Sequence, residues 1–306
     1  QGDPRQTRGL LVVLSRGIDQ LMRDRWGIAM ALCAALFIAP GHASAQFVSL
    51  ETSDLRLLYN RSPFNFIAPY SAQCFENSMR FHRRLFDYTP SEKVNVILDD
   101  ISDFGNAGVW VSPRNSMVVH IAPVNFVYET SPSNERINFT MNHEIVHVLA
   151  LDKAAGSDKV FRWLFHGKIR ETSEHPETMI YSYLTLPRRA SPRWYHEGAA
   201  VFFETWMAGG IGRAQGPYDE MVFRSKVLDG SRIYDPLGLE SEATKTDFQA
   251  GVNSYLYGTR FMDYLAYTYS PESVVRWVDR SPGSKRYFAA QRSSGRGRED
   301  RDRDDE

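Results

Sequence analysis

The stretch Asn142-His143-Glu144-Ile145-Val146-His147 sets the reading of the whole chain. In an α-helix, residues four apart stand one above the other, so His143 and His147 would present two imidazoles a turn apart on one face. Such a pair suits a Zn²⁺ ion, with Zn–N bonds of about 2.0–2.1 Å. Glu144 sits beside them, able to take a proton from a water that the metal activates. H-E-x-x-H arises by chance in about one chain in a hundred of this length, and the flanks argue against chance. Ile137, Met141, Ile145, Val148 and Leu149 recur at three- and four-residue spacing, which is a helical period. A helix apolar on most sides is a buried one. Two imidazoles and a carboxylate on a buried helix need a partner, and a metal ion is the simplest. Ser131-Pro132 is expected to open this helix as N-cap and first-turn proline, with the end near Asp152 to Gly156.

A catalytic zinc site usually keeps three protein ligands, so a third is sought elsewhere. The second helix expected in this region begins after Ser191-Pro192 and runs Arg193-Trp194-Tyr195-His196-Glu197-Gly198-Ala199-Ala200-Val201-Phe202-Phe203-Glu204, stopping at Gly209-Gly210. Glu197 is the candidate. The small residues after it let this helix come close to another backbone. Taken alone, Glu197 reads as a solvated helix glutamate. His196 is the rival ligand, but it points about 100° away around the helix, so the two can hardly bind one ion. Glu204, two turns on, reads as a surface residue or as an outer group behind the ligands.

The 306 residues are 42% hydrophobic, enough for one sizeable domain or two joined halves. A formal net charge of -1 provides no basic field for nucleic acid. The chain starts at Gln1, and its first methionine is Met22. From there Arg23-Asp24-Arg25, an apolar run from Ile28 to Ile38, Pro40-Gly41 and Ala43-Ser44-Ala45 read as a signal peptide cut after Ala45. Gln1 to Leu21 then reads as upstream, non-native sequence. The apolar run is too short to span a bilayer, which takes about 20 residues, so no membrane anchor is expected after cleavage. Cys74 is the one cysteine after Ala45, which excludes an internal disulfide there. The expected address is a bacterial periplasm or exterior.

Along the chain, Gln46 to Tyr59 reads as one or two strands, Ser71 to Tyr88 as a helix and Val94 to Leu98 as a strand. Val109–Val111 and Met117–Ile121 read as a hairpin turning at Pro113-Arg114-Asn115-Ser116, after the permissive run Gly105-Asn106-Ala107-Gly108. His120 reads as a packed histidine. Phe161 to Tyr183 suggests two short helices, with His166 and His175 on the surface. A Gly-, Asp- and Ser-rich loop is expected from Gly209 to about Glu242. Asn253 to Tyr269 is a third strong helix, with Tyr255, Phe261, Met262 and Leu265 as buried candidates, and Pro271 to Val278 continues as helix. The charged tail from Arg292 is expected to be disordered. The fold class is α+β: a sheet-rich, mostly antiparallel half over residues 46–130, a helical half over 131–290 and a tail over 291–306.

The two segments His143-Glu144-x-x-His147 and Trp194-Tyr195-His196-Glu197-Gly198-Ala199-Ala200 resemble the gluzincin zinc peptidases, in particular the peptidase MA-like domains and the aminopeptidase N group. Tyr255-Leu256-Tyr257-Gly258 is similar to a later motif of that family. The resemblance covers roughly Val94 to Asp279. It implies a thermolysin-like fold with a cleft between the halves and one Zn²⁺ on His143, His147 and Glu197. It also implies Glu144 as base, Tyr255 as the group that steadies the oxyanion, and a peptide or protein substrate. The spacer between His147 and Glu197 is 49 residues, 148 to 196. That is longer than in the aminopeptidases, favours the MA-like group and predicts an extra element over the cleft. No G-x-M-E-N stretch is present, which leaves endopeptidase as the default. Family geometry would place an extended substrate along Met117–Ile121 as an edge strand. The competing reading is a secreted module that keeps zinc for stability or peptide binding and does no chemistry. Glu144 separates the two, since a structural zinc site needs no base beside its ligands.

Overall fold

Alternating apolar residues build the sheet. The computed structural model describes residues 47–103, 105–122, 135–154, 156–210, 212–235, 238–239 and 253–280. The signal-peptide reading, the Ser131-Pro132 cap and the charged tail fall outside them. Strands β1 (Phe47–Glu51) and β2 (Leu55–Asn60) lead into a short helix α1 (Arg61–Phe64) and the long helix α2 (Ala68–Phe86). Then come β3 (Val94–Asp99), β4 (Asn106–Trp110) and β5 (Ser116–His120). The five strands lie in the order β1-β2-β3-β5-β4. Period-two alternation puts Leu55, Leu57, Val94, Val96, Leu98, Met117 and Val119 on one face, each at most 2% exposed. The register aligns Leu57 with Val96 and Val96 with Met117, so the face is continuous across three strands.

The sheet is mixed, and here the structure corrects the mostly antiparallel expectation. β1/β2 and β4/β5 are antiparallel, but β2/β3 and β3/β5 are parallel. α2 carries the chain back across the sheet before β3 begins, and a strand entered after such a crossover runs parallel to the one before it. β4 then returns along the outer edge, and its hairpin places β5 between β4 and β3, so β5 runs parallel to β3. A second correction concerns the edge. β5 is bonded on both sides, so the edge strands are β1 and β4, not Met117–Ile121. Asn106, Ala107 and Gly108 of β4 carry little side chain, which is why that run read as loop.

The helices follow as α3 (Arg136–Asp152), α4 (Ser157–Leu164), α5 (Thr178–Thr185), α6 (Arg193–Met207), α7 (Pro217–Leu228), α8 (Asn253–Tyr269) and α9 (Pro271–Arg280). Glu135 caps α3, its carboxylate accepting from the Ile137 and Asn138 amides at 3.0 and 2.6 Å. α7 stands where a loop was expected. None of its residues is fully buried, and only Val222 and Phe223 pack partly against the core, so its apolar stripe is weak. The spacer after α3 is fastened by Lys168. Its buried ammonium reaches Glu92 (2.6 Å), Asn115 (2.7 Å) and Asp152 (2.9 Å). This anchors the spacer at the C-terminal end of α3, and none of its described side chains lines the cleft next to the motif, contrary to the expected overhang. His166 and His175 are exposed, as expected. Among the described residues no helix is long and apolar enough to cross a membrane.

Candidate metal centre

α6 and α8 meet over two glycines. A Cβ built on Gly198 would lie 2.2 Å from the Gly258 carbonyl carbon, and one on Gly258 would lie 2.0 Å from the Trp194 oxygen. Only hydrogen fits at either position. α6 and α8 are therefore packed backbone against backbone, and α6 lies in turn against α3. This seats Glu197 opposite the motif histidines and Tyr255 beside them.

The donor atoms converge. His143 Nε2 and His147 Nε2 are 3.1 Å apart, and Glu197 Oε2 is 3.4 Å from the first and 3.2 Å from the second. Ligands about 2.0–2.1 Å from one tetrahedral ion are about 3.3–3.4 Å from each other, so these three atoms outline one face of such a tetrahedron. Glu197 Oε2 is buried yet accepts no hydrogen bond. An orphaned carboxylate oxygen facing two imidazole nitrogens is a costly arrangement without a cation. Burial alone would raise the Glu197 pKa, but His147 and His143 outweigh it and hold the carboxyl well below its usual range. Burial also opposes charge on His143, yet Glu197 and Glu204 prevail and lift it to about 9. The residues present fit zinc, a borderline-soft ion that takes histidine nitrogen and carboxylate oxygen. Among the described residues no other group of three or more His, Cys, Asp or Glu side chains gathers its donor atoms this closely.

Behind the ligands stands an outer layer. His143 Nδ1 donates to Glu204 Oε2 at 2.7 Å. That bond fixes the tautomer, leaving Nε2 with its lone pair toward the ligand cluster. Arg213 grips Glu204 with both ends of its guanidinium, Nε to Oε1 and Nη2 to Oε2, each at 2.8 Å. Arg213 Nη2 also lies 3.0 Å from His143 Nδ1. With the imidazole N–H committed to Glu204, that contact sets donor against donor, so the carboxylate is what holds both. Glu204 is 1% exposed, which discards the surface alternative. A second relay runs from His82 on α2, whose Nε2 meets Asn142 Oδ1, to Asn142 Nδ2, which donates to the Glu204 carbonyl at 3.0 Å. Burial drives the His82 pKa down to about 4, so the ring is a neutral donor. Arg213 and His82 carried no sequence signal: each is a lone residue outside any motif, and folding alone brings it here.

Glu144 is 7% exposed, and burial raises its pKa, partly offset by His143 and His147. A carboxyl held above its ordinary range is a stronger proton acceptor than a free one. The Tyr255 ring lies 6.2 Å from the His143 ring at 25°, and the guanidinium groups of Arg193 and Arg213 lie 5.5 and 5.4 Å from its centroid. Burial and the Glu197 charge raise its phenol pKa, so the hydroxyl keeps its proton and remains a donor. His196 is not among the converging donors. Both its ring nitrogens are buried without a hydrogen bond. A cleft opens in front of the site, lined by Asn106 and Ala107 of β4, His120, and Phe139, Glu144 and Tyr255. His120 is therefore not a packed core histidine. It is half-buried, paired with Asp99, and faces this cleft.

No family model matches the chain, and no curated protein is similar enough to count as a match.

Proposed function

We propose that the protein is a secreted zinc-dependent peptidase that cleaves peptide bonds by hydrolysis. The observation that carries this reading is the 3.1–3.4 Å triangle of His143, His147 and Glu197 donors with the buried Glu144 carboxyl beside it. His143, His147 and Glu197 would hold the zinc, which when bound supplies a Lewis acid for water and for the scissile carbonyl. Glu144 takes the proton of the attacking water and returns it to the leaving amine. The Tyr255 hydroxyl donates to the oxygen on which negative charge develops, a contact worth on the order of 3 kcal/mol in the transition state. Glu204 and Arg213 keep His143 in the tautomer that binds metal. The free edge of β4 offers its backbone to a substrate in extended form, along the floor of the cleft. The secreted location rests on the leader sequence alone.

Glu144→Gln separates the peptidase from a zinc-binding module without chemistry. The variant keeps all three ligand side chains, so zinc binding at one ion per chain is expected with hydrolysis of a casein or peptide-library substrate lost by at least 10²-fold, the upper part of what a general base contributes. Zinc bound equally by both proteins, with cleavage by neither, would favour the module.

A further inference from the structure

A second pocket, of about 330 Å³, lies between α7 and α8. It is separate from the metal-facing cleft, and the metal chemistry gives it no role. Its walls include Asp219 from the first turn of α7 and Thr259 and Asp263 from α8, together with Phe223, Leu256 and Tyr267. We infer that this pocket binds an organic cation, an alkyl ammonium or guanidinium group, with Asp219 and Asp263 as its counter-charges.

Three observations support it. Asp263 is 7% exposed, and among the described residues neither it nor Asp219 accepts a hydrogen bond from a side chain or an amide. Thr259 is 1% exposed and its Oγ1, at the wall of the same pocket, also lacks a partner. Arg260, the cation of the same lining, is paired with Glu220 at 2.8 Å and laid over the Phe223 ring at 5.8 Å, and it donates no hydrogen bond to either aspartate. The pocket thus holds two desolvated carboxylates and a hydroxyl, all oxygen, with too few hydrogen-bond donors to satisfy them. Burial raises Asp219 to about 6, and burial together with Asp219 raises Asp263 to about 7, in spite of Arg260. Both are the response of carboxylates confined together without an adequate counter-ion.

The dimensions select the class of cation. A bare Ca²⁺ needs six to eight oxygens at about 2.3–2.6 Å, and two carboxylates with one hydroxyl in so wide a space do not provide them. An alkyl chain ending in a positive group uses the whole pocket. Its stem packs on Leu256 and Phe223, and its head meets the carboxylates, with aromatic faces nearby. Tyr255, Thr259 and Asp263 follow one another at four-residue spacing on α8, so the pocket lies about 6–12 Å along the helix from Tyr255. The cation can be a free amine or a basic side chain of a longer ligand. The site itself does not depend on the peptidase reading.

The test uses the full chain with zinc present, titrated with agmatine and n-butylamine, with n-butanol as the uncharged counterpart and CaCl₂ and MgCl₂ at matched ionic strength. Binding is read by calorimetry and by the shift of the thermal midpoint. The two amines are expected to bind saturably and n-butanol not. Asp263→Asn and Asp219→Asn are each expected to weaken amine binding at least about tenfold, while Glu174→Gln, an exposed acid elsewhere, leaves it unchanged. Both Asn variants remove a desolvated charge, so they keep the fold. Thr259→Val adds a variant that alters no charge and should weaken binding less. A lysine- or arginine-containing peptide that competes with agmatine would identify a substrate side chain as the natural source, and one that does not compete would identify a free amine. Saturable binding of Ca²⁺ without binding of the amines overturns the inference, as does amine binding that neither Asp variant affects.

Discussion

Gly198→Ala is the sharpest test of how this fold builds its site. The added Cβ would lie 2.2 Å from the Gly258 carbonyl carbon, 2.5 Å from its oxygen and 2.6 Å from its Cα. All three are backbone atoms, so no side chain can rotate away. Carbon atoms at rest sit about 3.5–4.0 Å apart, so α6 and α8 would have to separate by more than about 1 Å. Overpacking of this kind costs about 1–3 kcal/mol, and a contact between two helix backbones belongs at the upper end. Glu197 precedes Gly198 and travels with α6, whereas metal–ligand distances tolerate only about 0.2 Å. Zinc affinity should therefore fall by at least about 10–100-fold, the effect of losing even an outer supporting group. Stability is read by thermal denaturation in chelator and affinity by competition with a chromophoric chelator. Gly108→Ala is the control, because its nearest neighbour would be Trp110 at an ordinary 3.9 Å. If Gly198→Ala melted with the wild type and bound zinc within about twofold of it, the glycine contact would not be what registers Glu197 on the histidines.

Two further outcomes follow from the outer groups and the second pocket. Glu204→Gln exchanges the carboxylate that holds His143 Nδ1–H and both arms of Arg213, and zinc affinity by chelator competition should drop by about 10–100-fold with the three ligands intact. Asp263 has a folded pKa raised to about 7 against an ordinary 3.8. The folded chain therefore binds that proton more tightly than the unfolded one. The stability it supplies is complete below about pH 4 and lost as pH rises through about 7, about 4 kcal/mol in all. Asp263→Asn should flatten this slope, melting about 10 °C above the wild type at pH 8 in amine-free buffer and level with it at pH 4. An unchanged slope would show that Asp263 is not the group responsible.

Periodicity in the sequence marked β1, β2, β3, the β4–β5 hairpin, α2, α3, α6, α8 and α9, because each buries one face and its apolar residues recur at the matching spacing. It missed α7, none of whose residues is fully buried and whose apolar pattern is correspondingly weak. It also misjudged strand direction, since whether β3 runs with or against β2 depends on how α2 crosses the sheet, and no single strand encodes that.

The same division runs through the site. His143, Glu144 and His147 were legible because helical spacing alone puts the two imidazoles on one face. The small residues after Glu197 announced a close helix contact, though not with which helix. That Glu197 Oε2 lies within 3.4 Å of both imidazoles, that Glu204 turns inward, and that Arg213 and His82 stand behind the ligands were decided by tertiary structure. These contacts join residues about 50–70 positions apart in the chain. Local sequence carries a helix's own period, while the meeting of distant side chains is settled only when packed backbones fix where each helix stops against the next.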